Sequence, residues 1–475
     1  MHSRFAASLL LLALSGTALA NEPAVHGAHG GVGLGDVLPY WSIIPFAGML
    51  LSIALMPMIA HHWWESNKNQ LLVALGWASP VLGYLLYLGF TDHMGVGHSA
   101  FLSIEHAIAE YVSFIALLGS LYIISGGILL RGDLQGKPVV NTSFLAIGAV
   151  LANVVGTTGA SMLLIRPMLR TNSERSHTWH IPIFFIFLVS NVGGALTPIG
   201  DPPLFLGYLR GVPFFWTLEA LWSIWVPVVG FLLAIFFVMD TVLYGREDAP
   251  HRADDNAHVE PLRLEGSFNF LLLAGVIASV LLLSPVHGEP SFRDYYAREI
   301  AMALLAGASV LWTSRSIRER NAFNYGPILE VSALFVGIFI AMIPATKLLE
   351  THGAALGLTE PWQYFWASGT LSALLDNAPT YVTFAAMACG ADAACTDANN
   401  LAPLALGESS KLLQAIALGS VFCGAGSYIG NGPNFMVRAI AEQSGYKMPS
   451  FFGYTGWALL ILGPTYLLMT LIWLV

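Results

Sequence analysis

Two apolar stretches of the chain contain residues that a membrane-spanning helix normally excludes. The first, GGALTPIGDPPLF (193–205), carries Asp201 among three glycines and three prolines. The second, LLDNAPTYVTFA (374–385), carries Asp376 next to Asn377. Glycine and proline interrupt helices, and a carboxylate at bilayer depth is costly. The combination predicts a site where broken helix ends and buried carboxylates bind a ligand or an ion.

Both stretches have a counterpart elsewhere in the chain. GALTPIGDPPLF (194–205) aligns without a gap with GAGSYIGNGPNF (424–435), which places Asp201 over Asn431. LANVVGTTGASM (151–162) matches the second stretch. Interrupted segments at corresponding positions of two halves are typical of secondary transporters built from inverted repeats. The other matched polar residues are Thr197 with Ser427, Asn153 with Asn377, and Thr157 or Thr158 with Thr380.

The composition places these stretches in a membrane. Of the 475 residues, 56% are hydrophobic and only 10% are charged, and the mean hydropathy is +0.66. Soluble domains carry about a quarter charged residues, so a soluble protein is excluded. The sequence has no GxxxxGK[ST] loop, so transport is expected to be driven by ion gradients. The expected partner is membrane lipid, and nucleic acid is not expected.

Apolar runs of spanning length predict ten membrane crossings and two re-entrant hairpins, at 142–165 and 360–388. With these hairpins, fourteen Lys and Arg residues fall in cytoplasmic segments and five outside. The positive-inside rule favours this topology. The crossings are predicted near 40–60, 70–90, 101–130, 181–209, 213–243, 267–285, 297–313, 325–346, 411–437 and 453–475.

The chain divides into four predicted segments. Residues 1–20 have a basic start, an apolar core and an Ala-Leu-Ala end, which is typical of a cleavable signal peptide. Two transporter repeats follow, at 38–243 and 267–475, joined by a polar cytoplasmic linker at 244–266. Each repeat has five crossings and one hairpin, so the second is inverted relative to the first. The expected fold is an all-α polytopic protein of the bacterial inner membrane with a periplasmic N-terminus.

The motifs SNVGGALTPIGDPPLFLGYLRGVPFF (190–215) and LLDNAPTYVTF (374–384) resemble the ion transporter superfamily. They are similar to the NhaD-type sodium/proton antiporters and to the citrate-transport branch beside them. The resemblance implies two inverted repeats, each with a re-entrant hairpin and a discontinuous helix, a homodimer, and exchange of sodium or lithium for protons. The ion-site residues that it implies are Asn153, Thr157, Asn191, Asp201, Asp376, Asn377, Ser427, Asn431 and Asn434.

The side chains of this set suit a sodium ion, which binds carboxylate, carbonyl, amide and hydroxyl oxygens. Asp201 and Asp376 supply the negative charge of the expected sodium site. Burial disfavours a bare carboxylate, so each is expected to hold a proton when no cation is bound. Cation and proton then compete, which is sufficient for antiport. Ala152 stands where many relatives carry a further hairpin aspartate. Restoring a carboxylate there is expected either to tighten sodium binding or to raise the number of protons exchanged per ion, unless burial keeps the new carboxylate neutral.

Two further carboxylates are candidates for proton transfer or gating. Glu110 and Glu330 lie at comparable places in the third crossing of each repeat, and intramembrane carboxylates are commonly functional. Cys389 and Cys395 share a loop that is predicted to lie outside the cytoplasm, where the two thiols could form a disulfide.

Other functions fit parts of the pattern. A carrier for a small anion, such as citrate or a dicarboxylate, would keep the architecture and direct half-helix ends and amides at the anion. No Lys or Arg lies within either hairpin core or broken helix, which disfavours a multiply charged anion. Arsenite efflux is a third interpretation. An enzyme is not expected, because no protease-like motif surrounds Asp201 or Asp376, and no cofactor besides the transported ions is predicted.

Overall fold

The computed structural model describes residues 33–248, 260–283 and 296–475. The predicted signal peptide, residues 1–20, lies outside the described residues. The described chain is mostly helical. By length and composition, six of its helices are apolar enough to cross a bilayer, or seven if one bent pair counts as a span, but one of the six, Pro138–Arg170, folds back on itself as described below. The prediction of an all-α polytopic membrane protein is confirmed.

The helices before the predicted linker lie close to the predicted apolar runs. Long helices form here because a helix satisfies its own backbone groups where no water is available. In chain order they are α1 (Leu34–Val37), α2 (Ile44–Ile59), α3 (His61–Trp64), α4 (Asn67–Thr91), α5 (Gly97–Ser125), α6 (Pro138–Arg170), α7 (His180–Leu188), α8 (Pro202–Leu209) and α9 (Trp216–Gly245).

The chain after the predicted linker contains shorter and more interrupted helices. The predicted crossing at 325–346 is two helices, α13 and α14, with a bend of 41° between them. In chain order the helices are α10 (Phe268–Leu282), α11 (Ala297–Trp312), α12 (Arg315–Arg320), α13 (Gly326–Ala341), α14 (Ile343–His352), α15 (Pro361–Leu374), α16 (Asn377–Ala391), α17 (Ala402–Leu406), α18 (Ser410–Cys423), α19 (Gly432–Gln443) and α20 (Phe451–Trp473).

A short two-stranded sheet was not predicted. Strand β1 (Leu129–Asp133) pairs antiparallel with β2 (Glu260–Glu265), which lies at the end of the predicted linker. Arg131 forms an ion pair with Glu265 at 3.5 Å across the two strands. The sheet therefore joins the end of the predicted linker to the segment between Ser125 and Pro138, outside the apolar helices. Single 3-10 turns occur at Tyr40–Ile43, His93–Gly95, Val192–Leu196, Gly353–Leu356 and Gly424–Gly426.

Helix α6 folds back on itself. Gly156 has a φ of 77°, a conformation that glycine adopts without steric cost. Near the start of the helix, Asn141 donates a hydrogen bond at 2.8 Å to Asn172, 31 residues later. A straight helix of 33 residues would separate its ends by about 50 Å. α6 is therefore a helical hairpin, called hairpin 1, whose two ends lie together.

Helices α15 and α16 form the matching element, hairpin 2. The helix stops before Asp376, whose carboxylate accepts the amide of Ala378 at 2.9 Å and caps α16. The far end of α16 returns towards the residues that precede α15. A Cβ atom added at Gly390 would lie 2.1 Å from the carbonyl oxygen of Glu350, so glycine permits this close approach.

Two helices are discontinuous, as the repeated motif predicts. Broken helix 1 consists of α7 and α8, and broken helix 2 of α18 and α19. α7 is buried along its whole length, whereas outer helices expose large apolar side chains such as Leu72, Val238 and Leu459. The breaks therefore lie inside the protein, where protein atoms rather than lipid surround the freed backbone groups.

Candidate functional site

Asp201 lies at the meeting point of both hairpins and both broken helices. It is 1% exposed. Its Oδ1 accepts hydrogen bonds from the hydroxyl of Thr157 at 2.8 Å and the amide of Asn431 at 2.9 Å. Its Oδ2 accepts the amide of Asn377 at 2.5 Å. Thr157 lies at the tip of hairpin 1, Asn377 at the tip of hairpin 2, and Asn431 directly before α19. One carboxylate thus joins all four interrupted elements.

Three buried asparagines continue this contact between the two halves of the chain. Asn431 donates to Oδ1 of Asn191 at 3.2 Å and to the carbonyl of Ser190 at 3.1 Å. Asn191 donates to Oδ1 of Asn434 at 2.6 Å. Asn434 in turn donates to two backbone carbonyls of broken helix 2. Because an amide both donates and accepts, this chain satisfies buried polar groups without adding charge.

The glycines shared by the two motif copies allow the backbone on either side of each helix break to approach closely. A Cβ atom added at Gly200 would lie 2.1 Å from the carbonyl oxygen of Gly194. In the second copy, one added at Gly430 would lie 2.5 Å from the carbonyl oxygen of Gly424. The amide of Thr157 donates to the carbonyl of Gly200 at 2.8 Å. The tip of hairpin 1 therefore packs directly on the break that precedes Asp201.

The second predicted carboxylate, Asp376, lies beside this cluster. It is partly exposed and close enough to Asp201 to interact electrostatically. The Oδ1 atom of the adjacent Asn377 is buried and accepts no hydrogen bond from the described residues. A buried acceptor without a donor is rare in native proteins. Two carboxylates and an amide oxygen with free acceptor capacity are thus grouped at the tip of hairpin 2.

The cluster has no positive side chain to balance its charge. Within the described part of the chain, the side chains that bond to Asp201 are all neutral. Buried charges in proteins are paired or bind metal ions. Asp201 therefore needs a bound cation when it is ionised, or a bound proton, which makes it neutral. Over the same residues, no group of three His, Cys, Asp or Glu side chains is close enough to hold a metal. The oxygen donors suit a hard monovalent cation better than zinc.

Four predicted site residues bond to nearby groups rather than to Asp201. Asn153 donates to the carbonyl of Gly193 at 2.7 Å and accepts the amide of Leu196 at 2.8 Å. These bonds stabilise the break from outside the cluster, and ion binding by these residues stays a prediction. The other three bonds are Thr197 to the carbonyl of Asn153, Thr380 to the carbonyl of Asp376, and the amide of Ile429 to Ser427.

Glu110 and Glu330 have partners outside this cluster. Glu110 forms a two-bond ion pair with Arg210, at 2.7 and 2.9 Å. Glu330 accepts the amide of Gln70 at 2.8 Å. A role in proton transfer or gating stays a prediction for both. The partnership of Glu110 could not be predicted, because Arg210 is 100 residues away in the sequence.

Sequence reasoning also missed a buried ionic network at the open end of hairpin 1. Asp240, near the end of α9, binds Arg175 at 2.7 Å and His180 at 2.9 Å. Asp240 also accepts the amide of Asn141 at 2.9 Å. Both ends of hairpin 1 are therefore tied to α9. The polar run around Arg175 indicated a loop, and only the fold reveals its buried partner.

Glu247, just after α9, completes this network. Burial raises the pKa of Glu247, but hydrogen bonds from Ser176 and His177, together with the charge of Arg175, lower it to about 2. The hydroxyl of Ser176 donates at 2.6 Å and the amide of His177 at 2.8 Å. Glu247 is thus held as a carboxylate at neutral pH.

A comparison with protein families matches residues 35–474 to the family described as "Putative citrate transport". The match includes both hairpins, both broken helices and the whole Asp201 cluster. It supports the citrate-transport branch of the resemblance and does not single out the NhaD-type antiporters. No curated protein sequence matches the chain. Together with the apolar helices, the match makes the protein a multi-pass membrane protein of transporter type, and the chain belongs to the family described as "Putative citrate transport".

Proposed function

We propose that this protein exchanges sodium or lithium ions for protons by alternating access at Asp201 and Asp376. The observation that carries the proposal is Asp201, which is 1% exposed and receives three hydrogen bonds from neutral side chains. Such a carboxylate is stabilised by a cation or by a proton, but one oxygen pair does not hold both. Binding of the ion therefore releases the proton, which is the exchange that antiport requires.

The oxygen atoms around Asp201 support a small hard cation as the transported ion. Asp376 supplies a second negative charge, and Asn377 supplies an amide oxygen that accepts no hydrogen bond from the described residues. The hydroxyl of Thr157 already lies 2.8 Å from Asp201. Carboxylate, amide and hydroxyl oxygens are the ligands that such ions prefer.

The same contacts provide a basis for alternating access. Asp201 belongs to the first repeat, whereas two of its three donors, Asn377 and Asn431, belong to the second. In transporters with inverted repeats, one group of helices moves against the other around a fixed central site. Any movement between the repeats changes the hydrogen bonds of Asp201, so its affinity for protons and ions depends on the conformation.

A citrate carrier is the second candidate, and the family match favours it. Amides and hydroxyls around Asp201 could donate to a carboxylate, and the N-terminal ends of α8, α16 and α19 carry partial positive charge. Citrate is an anion, however, and Asp201 and Asp376 are acids without a basic partner among the described residues. Citrate binding there requires protons or cations that bind together with it, so the ion site proposed above is needed in this case too.

The proposal includes an orientation in the bacterial inner membrane. The ends of hairpin 1 and the Arg175 network are assigned to the cytoplasm, and the loop with Cys389 and Cys395 to the periplasm. The N-terminus is periplasmic after cleavage of residues 1–20. We further propose two inverted repeats within 38–475, a homodimer in lipid, and no catalytic activity. Cysteine labelling at the exposed Ser173 and at Asp392 in intact cells tests this orientation.

Proteoliposomes containing a pH-sensitive dye test the transported ion. Sodium, lithium, potassium or citrate is added outside, and proton movement is followed with the wild type. Sodium or lithium alone is expected to release protons from the vesicles, and potassium is not. If the pH inside the vesicles changes when citrate is added but not when sodium or lithium is added, citrate transport replaces antiport as the proposed function. The variant Asp201→Asn is measured in the same way. Its matched control is Glu408→Gln, at an exposed carboxylate, which is expected to behave as the wild type.

A further inference from the structure

Helix α8 connects the candidate ion site to a second charged cluster. Asp201 precedes its first residue and Arg210 follows its last. Eight helical residues span about 12 Å, so the two charged side chains lie at opposite ends of a short rigid element. Whatever holds Arg210 therefore also helps to fix the position of Asp201.

Arg210 is held by two separate parts of the protein, Glu110 and the loop that contains Ala398 and Leu401. Its guanidinium donates to both carboxylate oxygens of Glu110 in α5, at 2.7 and 2.9 Å. The same group donates to the carbonyl of Ala398 at 3.3 Å, and the carbonyl of Arg210 accepts the amide of Leu401 at 2.6 Å. Arg210 is 4% exposed. A buried, two-bond Arg–carboxylate pair fixes orientation as well as distance.

The loop that contacts Arg210 is the continuation of hairpin 2. A disulfide between Cys389 and Cys395 closes the start of this loop, and Lys347 binds Asp397 at 3.6 Å. Hairpin 2 and the loop after it therefore contact both ends of α8. Asn377 donates to Asp201 at one end, and the loop contacts Arg210 at the other.

We propose that Arg210 is a positioning residue for the ion site and that it acts through α8 and its pair with Glu110. The pair keeps Asp201 within reach of the tips of both hairpins, and the loop makes this position depend on hairpin 2. This inference rests on the proposed function in one respect, the choice of sodium as the ion whose transport is measured. The small cavity beside the pair is lined by the titratable groups His106, Lys347 and Glu350, which face Glu110 and Arg210.

The test compares three variants with the wild type in proteoliposomes. Arg210→Gln and Glu110→Gln each remove one charge, and the double variant Glu110→Arg with Arg210→Glu exchanges the two. Each single variant is expected to lower exchange at limiting sodium by roughly tenfold to a hundredfold, because it leaves a buried charge unpaired. The apparent KM for sodium and the pH profile are expected to move, and the charge exchange is expected to restore at least part of the loss.

Arg438→Gln is the matched control. Arg438 pairs with Glu442 at 2.9 Å near the end of α19, and both side chains are partly exposed. Its loss is expected to leave KM and the pH profile unchanged. Cys389→Ser with Cys395→Ser keeps every charge and is expected to change KM in the same direction as Arg210→Gln, by a smaller factor.

Two results would overturn the positioning role. One is a folded, inserted Arg210→Gln protein whose KM and pH profile equal those of the wild type. The other is a charge-exchanged protein that is as stable as the wild type and no more active than the single variants. If wild-type vesicles move citrate and not sodium, antiport fails, and the same variants are then judged by their KM for citrate.

Discussion

The two halves of the chain carry asparagines at matched positions of their hairpins, yet these side chains have different roles. Asn153 bonds to the backbone of Gly193 and Leu196, all within the first half. Asn377, in the second half, donates to Asp201 in the first and keeps a buried oxygen that accepts no bond from the described residues. A matched position in a repeated sequence motif therefore does not fix what a side chain does.

The distance to the helix break explains the difference. Thr157 follows the break of hairpin 1, and Asn377 follows the break of hairpin 2. These two residues bind opposite oxygens of Asp201. Asn153 lies one helical turn earlier, on the arm before the break. In the folded protein Thr157 thus corresponds to Asn377, although the sequence match pairs Asn153 with Asn377.

The largest effect is expected from the carboxylates themselves. Asp201→Asn and Asp376→Asn keep the size of the side chain but remove the charge that both proton and cation require. Each variant is expected to lose sodium-driven proton movement by more than roughly a hundredfold while it still folds and inserts. Vesicle pH measurements with equal amounts of protein check this.

A result near the wild-type rate for either variant would reduce that residue to a helix cap. Asp376 already caps α16 through Ala378, so this alternative is a real one there. Comparing the two variants therefore measures separately how much transport depends on Asp201, at the centre of the cluster, and on Asp376, at its edge.

The second prediction contrasts the two asparagines directly. Asn377→Ala removes a donor from Asp201 and an oxygen from the proposed ion site, so apparent sodium affinity is expected to fall about tenfold. Asn153→Ala leaves the backbone groups at the break of broken helix 1 without a partner, which costs about 1–3 kcal/mol of stability. Its sodium affinity is expected to stay within about twofold, since Asn153 does not touch Asp201. Titration of exchange with sodium, beside thermal unfolding in detergent, measures both quantities.

Equal losses of affinity in both variants would show that the sequence match, and not the place of the break, assigns the functional asparagine. Thr157→Val is a useful companion variant. It removes one hydroxyl donor from Asp201 and is expected to resemble Asn377→Ala more than Asn153→Ala.

The sequence was sufficient for those features that depend on local pattern. Apolar runs locate the helices, and the glycines and prolines around Asp201 and Asn431 locate both breaks. Contacts between distant segments were not predictable in the same way. Arg210 and Glu110 are 100 residues apart, and β1 pairs with a strand more than a hundred residues later. Such pairs depend on how the helices pack, which the hydrophobic pattern does not specify.

The hairpins also differ in how the ends away from their tips are held. This difference is expected to appear in how the stability of the protein depends on pH in acid. Hairpin 1 is tied to α9 by the ionic network that includes Glu247, whereas the loop after hairpin 2 contains a disulfide. The pKa of Glu247 is lowered from an ordinary 4.5 to about 2 in the folded protein. The stabilisation is therefore complete above the unfolded value of 4.5 and is lost as the pH falls through about 2.

Glu247→Gln is accordingly expected to lower stability at neutral pH by roughly 1–3 kcal/mol and to weaken the dependence on pH below 4.5. Thermal unfolding in detergent across this range, with Glu408→Gln as control, checks the prediction. A variant that loses stability in acid as steeply as the wild type would show that other groups control acid unfolding.

The smallest effect on ion binding is expected at Ala152, where the sequence match and the folded structure disagree. The match pairs this position with Asp376, so Ala152→Asp should add a second hairpin carboxylate and tighten sodium binding.

In the structure Ala152 is fully buried on the arm before the break of hairpin 1, whereas Asp376 lies at the break itself. A new carboxylate there would be buried, so it is expected to stay protonated and to reduce stability instead. Apparent sodium affinity, measured at several pH values, is therefore expected to remain within about threefold of the wild type. A tenfold gain at alkaline pH would show that the new carboxylate ionises beside the sodium ion, and would restore the sequence match as the correct correspondence between the two hairpins.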